Sequence, residues 1–249
     1  MQQISKEQIK QISQFKMKKY RQLHRQFVAE GNKVVTEVKH SPLSIKHIIA
    51  TNSWLQKYNN EAWEGNDMIL VDEREMKKLS SQKQPEGILA VVNMPELDIN
   101  EISNSDWVIV LDDIRDPGNL GTIIRLADWY GISEIVCSPT TVDVYNPKVV
   151  QSTMGSIARV RVHQCELNEF LSSQTRLIIG ADLAGEPVQQ IETNEPAILI
   201  IGSESHGLSK AVKEHVNQLV TIPRIGQAES LNAAMACGII LSHLVISTP

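Results

Sequence analysis

Residues 107–130 read WVIVLDDIRDPGNLGTIIRLADWY. The stretch opens on Trp107–Leu111, a short unbroken apolar run of the kind that forms a strand buried on both faces. An Asp-rich loop containing Pro117 and Gly118 follows, and those residues punctuate rather than continue an element. Leu120, Ile123, Ile124, Ala127 and Gly131 then recur at helical spacing, so Leu120–Tyr130 is expected to be a helix laid on the sheet. Strand, loop and covering helix form the repeating unit of a parallel α/β sheet.

The same pattern continues downstream. Glu134–Cys137, Leu177–Gly180 and Ala197–Ile201 are further near-continuous apolar runs. Helical patterns lie at Pro147–Ile157 and from about Leu231 to Val245. Upstream, Asn93–Asp106 (NMPELDINEISNSD) is polar, contains Pro95 and has no periodicity, which marks a connection between domains. Before it, Phe27–Gly31, Ile45–Ala50, Met68–Val71 and Ile88–Val92 read as strands. Helix-compatible stretches at Ser53–Glu61 and Glu73–Ser80 separate the later ones. Lys6–Gln26 reads as one helix capped by Ser5, and Asn32 is expected to cap a helix through Val38. The expected organisation is a small α/β domain with a covered sheet over residues 1–94, a linker at 95–106, and a larger α/β domain over 107–249.

Composition narrows the function classes. The chain has 249 residues, 42% hydrophobic and 21% charged, which suits a folded core and excludes a disordered chain. No apolar run approaches the ~18 residues of a membrane span, and Met1–Glu7 lacks the apolar stretch of a signal peptide. A cytoplasmic protein without a membrane partner is expected. Cys137, Cys165 and Cys237 are too scattered for a disulfide framework and read as small apolar side chains. The seven histidines are dispersed, with no metal-ligand spacing, so no metal is expected. The net charge of −5 conceals an asymmetry: residues 1–50 carry ten Lys/Arg against three Glu and no Asp. A basic end on an acidic body suits a polyanionic partner. Lys16, Lys18, Lys19, Arg21 and Arg25 are its candidate contacts.

Three stretches of the second domain carry the candidate chemistry, because each joins a strand end to a loop or helix start, where open α/β sheets bind ligands. In the first, Asn119 is expected to cap the helix and Gly121 to allow close approach near its positive end. Arg125 falls off the apolar stripe; its bland alternative is a surface pair with Asp128. In the second, Ile200–Ser209 (IIGSESHGLS), glycines bracket a turn with Glu204 in its middle. In the third, Thr221–Ala236 (TIPRIGQAESLNAAMA), a strand stops at Pro223 and Ser230 is expected to cap a helix of small residues. The chain has neither GxGxxG nor GxxxxGK[ST], which argues against a dinucleotide or P-loop site. Ser203–Gly207 has the context of a nucleophile elbow, so a serine hydrolase with His243 and Glu229 as partners is one alternative.

The three stretches, in this order and spacing, closely resemble the SpoU (TrmH-like) family of ribose 2′-O-methyltransferases within the SPOUT class. The match rests on Asn119, Gly121 and Arg125; on Gly202, Glu204 and Gly207; and on Ile222, Pro223, Ser230, Leu231 and Asn232. The first domain is similar to the family's ribosomal-protein-like substrate-binding domain through Lys19-Tyr20-Arg21 and Phe27–Gly31. Two departures are Arg224, where the family usually has Met, and Ala233-Ala234 after Ser-Leu-Asn.

The resemblance implies a parallel sheet with a deep trefoil knot, an exception to the rule against threaded chains. It implies S-adenosyl-L-methionine as cofactor, held by Gly202, Ile222, Pro223 and Leu231, with the loop at Ala181 nearby. It implies catalytic roles for Arg125, Asn119, Glu204, Ser230 and Asn232, a homodimer, and an RNA substrate, rRNA rather than tRNA. The alternative from another class is a non-catalytic RNA-binding or ribosome-assembly factor on the same fold.

Overall fold

The computed structural model describes residues 2–58, 68–193 and 195–247. They form two units, Met1–Glu96 with Tyr145–Ala158, and Leu97–Val144 with Arg159–Pro249.

In the first unit, strands β1 (Gln2–Gln3), β2 (Gln26–Glu30), β3 (Ile45–Thr51), β4 (Met68–Val71) and β5 (Ile88–Asn93) make a sheet of order β1-β4-β3-β5-β2. It is mixed: β4 runs parallel to β1 and β3, and β5 runs antiparallel to β2 and β3. Helices α1 (Lys6–Gln14), α2 (Lys18–His24), α3 (Asn32–Lys39), α4 (Asn52–Tyr58) and α5 (Glu73–Leu79) accompany it. Ile12 and Phe15 pack with Ile49, Ile69 and Leu89 in its core. Ser5 caps α1 through a reciprocal box with Gln8, as its sequence position suggests. The single helix expected over Lys6–Gln26 is broken in two, because Met17 is extended between α1 and α2. Gly31 (φ +90), not Asn32, occupies the cap position of α3, and the Asn32 N–H goes to Glu86 Oε2 at 2.9 Å. Residues 59–61 of the helix expected at Ser53–Glu61 lie outside the described residues.

The second unit is built on β6 (Val108–Asp112), α6 (Pro117–Trp129) and β7 (Glu134–Cys137). The chain then contributes Tyr145–Ala158 to the first unit. There α7 (Pro147–Ser152) packs beside β2, with Tyr145 4.7 Å from Phe27 between ring centroids. The helix expected to reach Ile157 stops early because Met154 (φ +52) and Gly155 (φ +103) both turn left-handed, which no helix continues through. The chain returns with β8 (Arg161–Gln164), α8 (Leu167–Ser172), β9 (Ile178–Pro187), β10 (Ile198–Gly202), α9 (Lys210–Lys213), β11 (Gln218–Thr221) and α10 (Ala233–Ser247).

Its six strands are parallel, in the order β11-β9-β10-β6-β7-β8. The apolar runs at β6, β7 and β10 are buried throughout, as strands covered on both faces must be. Strand β8 carries no local sequence signal, because the edge strand Arg161-Val162-His163-Gln164 is not an apolar run. Cys137 and Cys237 are buried and Cys165 is half-buried; burial holds the Cys237 thiol up at about 12. No helix among the described residues is long and apolar enough to cross a membrane. No group of three or more His, Cys, Asp or Glu among them could hold a metal ion.

Candidate active site

A cavity of about 640 Å³ opens at the carboxyl ends of β10 and β11, beside the middle of β9. Its wall on the β10 side comes from the turn after Gly202. A methyl group on Gly202 would lie 2.2 Å from the Gly207 carbonyl carbon, so only glycine allows the two backbones to pass. Ser203 and Gly207 exchange both backbone hydrogen bonds, at 3.1 and 2.8 Å, and Gly207 adopts φ +65 to close the turn. That clasp carries Glu204 outward.

A second wall comes from Ala181, Asp182 and Leu183, which lie in an excursion of β9. The β9–β11 register jumps between Leu219 and Val220, so Leu219 pairs with Gly180 and Val220 with Glu186. The chain between bulges toward the cavity, where a loop after Gly180 was expected. Asp182 takes the Ala184 N–H at 3.0 Å and Lys213 at 2.6 Å; the Lys213 bond holds its carboxyl below the usual carboxylate range. The third wall is Ile222, Pro223 and the exposed run to Leu231, closed by Arg224 Nη1 donating to Ala228 O at 3.2 Å.

Three side chains from the three motifs meet at the cavity edge. Asn119 Nδ2 donates to Glu204 Oε1. Asn232 Nδ2 donates to the same oxygen at 3.0 Å and to Asn119 Oδ1 at 2.8 Å. The Glu204 carboxylate is thus tethered by two neutral amides while remaining exposed. Asn232 also caps α10, its Oδ1 accepting the Ala234 and Met235 N–H groups at 3.1 and 3.2 Å.

The expected caps are therefore corrected. Asp116 caps α6, with Oδ1 accepting from Asn119 N at 3.0 Å and Pro117 in the first turn. A Pro in that turn is preorganised for the helix and needs no N–H partner. Asn119 is freed to reach Glu204. Asn232 likewise takes the capping role expected of Ser230, which stays exposed on the cavity wall.

Arg125 lies on the exposed face of α6, and no hydrogen bond or ion pair holds it among the described residues. The alternative pair with Asp128 is not made: Arg159 takes that carboxylate through Nε and Nη2 at 2.8–3.1 Å. The hydrolase arrangement does not form either, since Ser205 Oγ meets His206 Nδ1 at 2.7 Å, not His243. Among the N-terminal cations, Lys16, Lys18, Lys19 and Arg25 are exposed. Arg21 is not: it is 2% exposed, and Nη1 donates to Phe15 O at 2.6 Å, bracing the break between α1 and α2. Its expected contact with a polyanion is replaced by this inward role.

Sequence reasoning missed Asp182 and Asp113. Asp113 adopts φ +61 at the end of β6, and the Arg115 hydrogen bond at 2.9 Å holds its carboxyl down. Asp is among the few residues that tolerate this conformation, but nothing in the spacing marks it.

A parallel α/β sheet with a cavity at its carboxyl ends and a three-motif polar cluster defines a ligand-binding enzyme domain of the doubly wound kind. Residues 106–242 match the SpoU rRNA Methylase family and residues 6–90 the MRM3-like substrate binding domain; the chain belongs to the SpoU rRNA methylase family. It is 30% identical to the 23S rRNA (guanosine(2553)-2′-O)-methyltransferase RlmP of Bacillus subtilis, over 95% of this chain and 98% of that protein. The AdoMet-bound rRNA methyltransferase from Sinorhizobium meliloti superposes with a TM-score of 0.86 at 27% identity, covering 97% of this chain and 96% of that one. AviRb from Streptomyces viridochromogenes, crystallised with AdoMet, shares the fold at TM-score 0.86 and 24% identity, covering 98% of this chain and 100% of that one.

Proposed function

We propose that the protein is an S-adenosyl-L-methionine-dependent methyltransferase acting on a ribose 2′-hydroxyl of RNA, in ribosomal rather than transfer RNA. The observation that carries this reading is the convergence of Asn119, Glu204 and Asn232 beside a cavity of about 640 Å³. The residues present fit the donor: the cavity size is in the range of small-molecule sites, Gly202 and Gly207 bring backbone close, and Ile222, Pro223, Leu231 and Ala181 supply apolar wall.

When bound, the donor supplies an electrophilic methyl on a sulfonium whose leaving group is a neutral thioether. The chain's residues do the rest. Asn119 and Asn232 hold Glu204 in one orientation at the mouth of the cavity, and Ser230 shapes its edge. Arg125 takes the acceptor's phosphate and stabilises the 2′-oxygen as its proton passes to water. A guanidinium whose pKa exceeds ~12 is better suited to that than to acting as base. Positioning of this kind supplies up to roughly 7–11 kcal/mol.

The same reading assigns RNA capture to residues 1–94 through Lys16, Lys18, Lys19 and Arg25, a connection to 95–106, and transfer to 107–249. It includes the threaded C-terminal path, supported by the meeting of positions 119, 204 and 232, and cytoplasmic action. It includes a homodimer, supported by unpartnered apolar side chains: Trp129 on α6 is 80% exposed, and Met235, Ile239 and Ile246 line one exposed stripe of α10.

The test is transfer of labelled methyl from S-adenosylmethionine to 23S rRNA and, separately, to tRNA. Incorporation into the ribose of rRNA is expected. Arg125→Ala is expected to abolish it while calorimetric donor binding stays within a few-fold; near wild-type turnover in that variant would reject the assignment of Arg125.

A further inference from the structure

A second cavity, of about 450 Å³, lies wholly within the first unit, between the end of α1, β2, the chain after α5, and α7. Its walls are graded by depth. Val28, Val150 and Glu30 are buried, Gln82 and Gln151 are half-buried, and Lys16 and Lys148 are exposed at the rim.

The buried carboxylate is fixed: Glu30 Oε1 accepts the Ser81 N–H at 2.8 Å and Oε2 accepts the Ser80 hydroxyl. The two glutamines are paired, with Gln82 Nε2 donating to Gln151 Oε1 at 2.9 Å. That bond uses one donor and one acceptor. It leaves Gln82 Oε1 as an acceptor and Gln151 Nε2 as a donor for a ligand. Lys16 is tethered through Lys78 O at 2.9 Å, which steadies an ammonium that keeps further N–H groups for a ligand.

Negative charge and neutral amides inside, with cations only at the rim, exclude a phosphate from the interior and favour it at the mouth. A base edge meets the opposite preference: it offers adjacent donor and acceptor groups, which a paired amide matches in bidentate fashion. Exocyclic amino or ring N–H groups can also donate to the fixed carboxylate. The volume lies in the range of small-ligand pockets, about 300–1,000 Å³. RNA is read through bases splayed out of the stack.

We propose that this cavity takes one unstacked nucleotide of the substrate RNA, its base edge against Gln82, Gln151 and Glu30 and its phosphates at Lys16 and Lys148. The proposal rests on the RNA-methyltransferase reading and adds a reading subsite remote in sequence from the transfer motifs.

The experiment is filter binding of the full-length protein to a 23S rRNA transcript across a salt series, with S-adenosylmethionine calorimetry and thermal melting as controls of folding. Gln82→Ala/Gln151→Ala is expected to weaken RNA binding about tenfold with the salt slope unchanged, because no charge is lost. Gln151→Glu, which keeps the shape but replaces the free donor with a carboxylate, is expected to weaken binding at least as much, and its added charge keeps it out of the slope comparison. Lys16→Ala/Lys148→Ala is expected to reduce the slope by about 1.4.

Amide variants that melt normally and bind RNA within twofold of wild type overturn the proposal. So does an amide variant whose salt slope falls like that of the lysine variant, since the contact is then to phosphate. Competition with AMP, CMP, GMP and UMP separates the sources: a mononucleotide that binds this site as tightly as the RNA does marks a free-nucleotide site and overturns the RNA assignment. A wild-type protein that methylates no RNA counts against the proposed function instead; one that methylates while the amide variants bind normally counts against this cavity alone.

Discussion

Two carboxylates of the second unit sit at opposite ends of one parallel sheet and are held in opposite ways. Glu204, beyond the carboxyl end of β10, is exposed and tethered by the neutral amides of Asn119 and Asn232. Glu134, at the amino end of β7, is 1% exposed and takes Arg161 and His163 from the neighbouring strand, His163 Nε2 at 2.9 Å. Burial opposes ionisation of Glu134, but the His163 and Arg161 hydrogen bonds outweigh it and keep its carboxyl below 4.5. An ion-paired carboxylate inside is committed to stitching an edge strand. An exposed one held by uncharged groups keeps its charge and spare lone pairs for a ligand.

That contrast predicts a double dissociation. Glu204→Gln is expected to lower methyl transfer by about 10²–10³-fold, the scale of a lost transition-state contact, with melting nearly unmoved. Glu134→Ala is expected to cost about 3 kcal/mol, as for one partner removed from a buried pair. Differential scanning calorimetry should register a fall of roughly 6–12 °C, with transfer by the folded fraction retained. If either variant shows the other's signature, the distinction between the two ends fails.

Acidification sharpens it. The folded-state pKa of Glu134 is depressed, so its stabilisation is complete above the ordinary carboxylate range and is lost as pH falls through the folded value. Denaturant titrations of wild type should lose stability steeply in that acid window, and those of Glu134→Gln less so.

The smallest effect belongs to Arg159–Asp128, an ion pair between the chain just before β8 and α6, at 2.8 Å with the arginine 46% exposed. Arg159→Ala is expected to change stability by about 1 kcal/mol or less in urea. A larger loss would mean that charge, rather than burial, sets the cost.

Much of this was legible in the chain. The apolar runs of β6, β7 and β10 and the spacing of α6 are local signals, because a strand or helix face is written in neighbouring residues. Asn119, Glu204 and Asn232 were marked as site residues, but not the geometry that joins them. Their bonds span 85 and 113 positions, a separation that no local pattern encodes. For the same reason the local pattern points to Asn119 as the cap where Asp116 fills that role, and nothing in it marks Asp182, in a β9 bulge visible only against β11.

The sequence by itself determined the alternation of strands and helices, the basic end, and the residue types available for chemistry, since periodicity and composition are properties of the chain. Tertiary structure alone decided that Arg21 turns inward while its neighbours stay outside, that Tyr145–Ala158 joins the first unit, and that two asparagines hold one glutamate. Those outcomes depend on which distant surfaces exclude water together, and burial is a property of the folded whole.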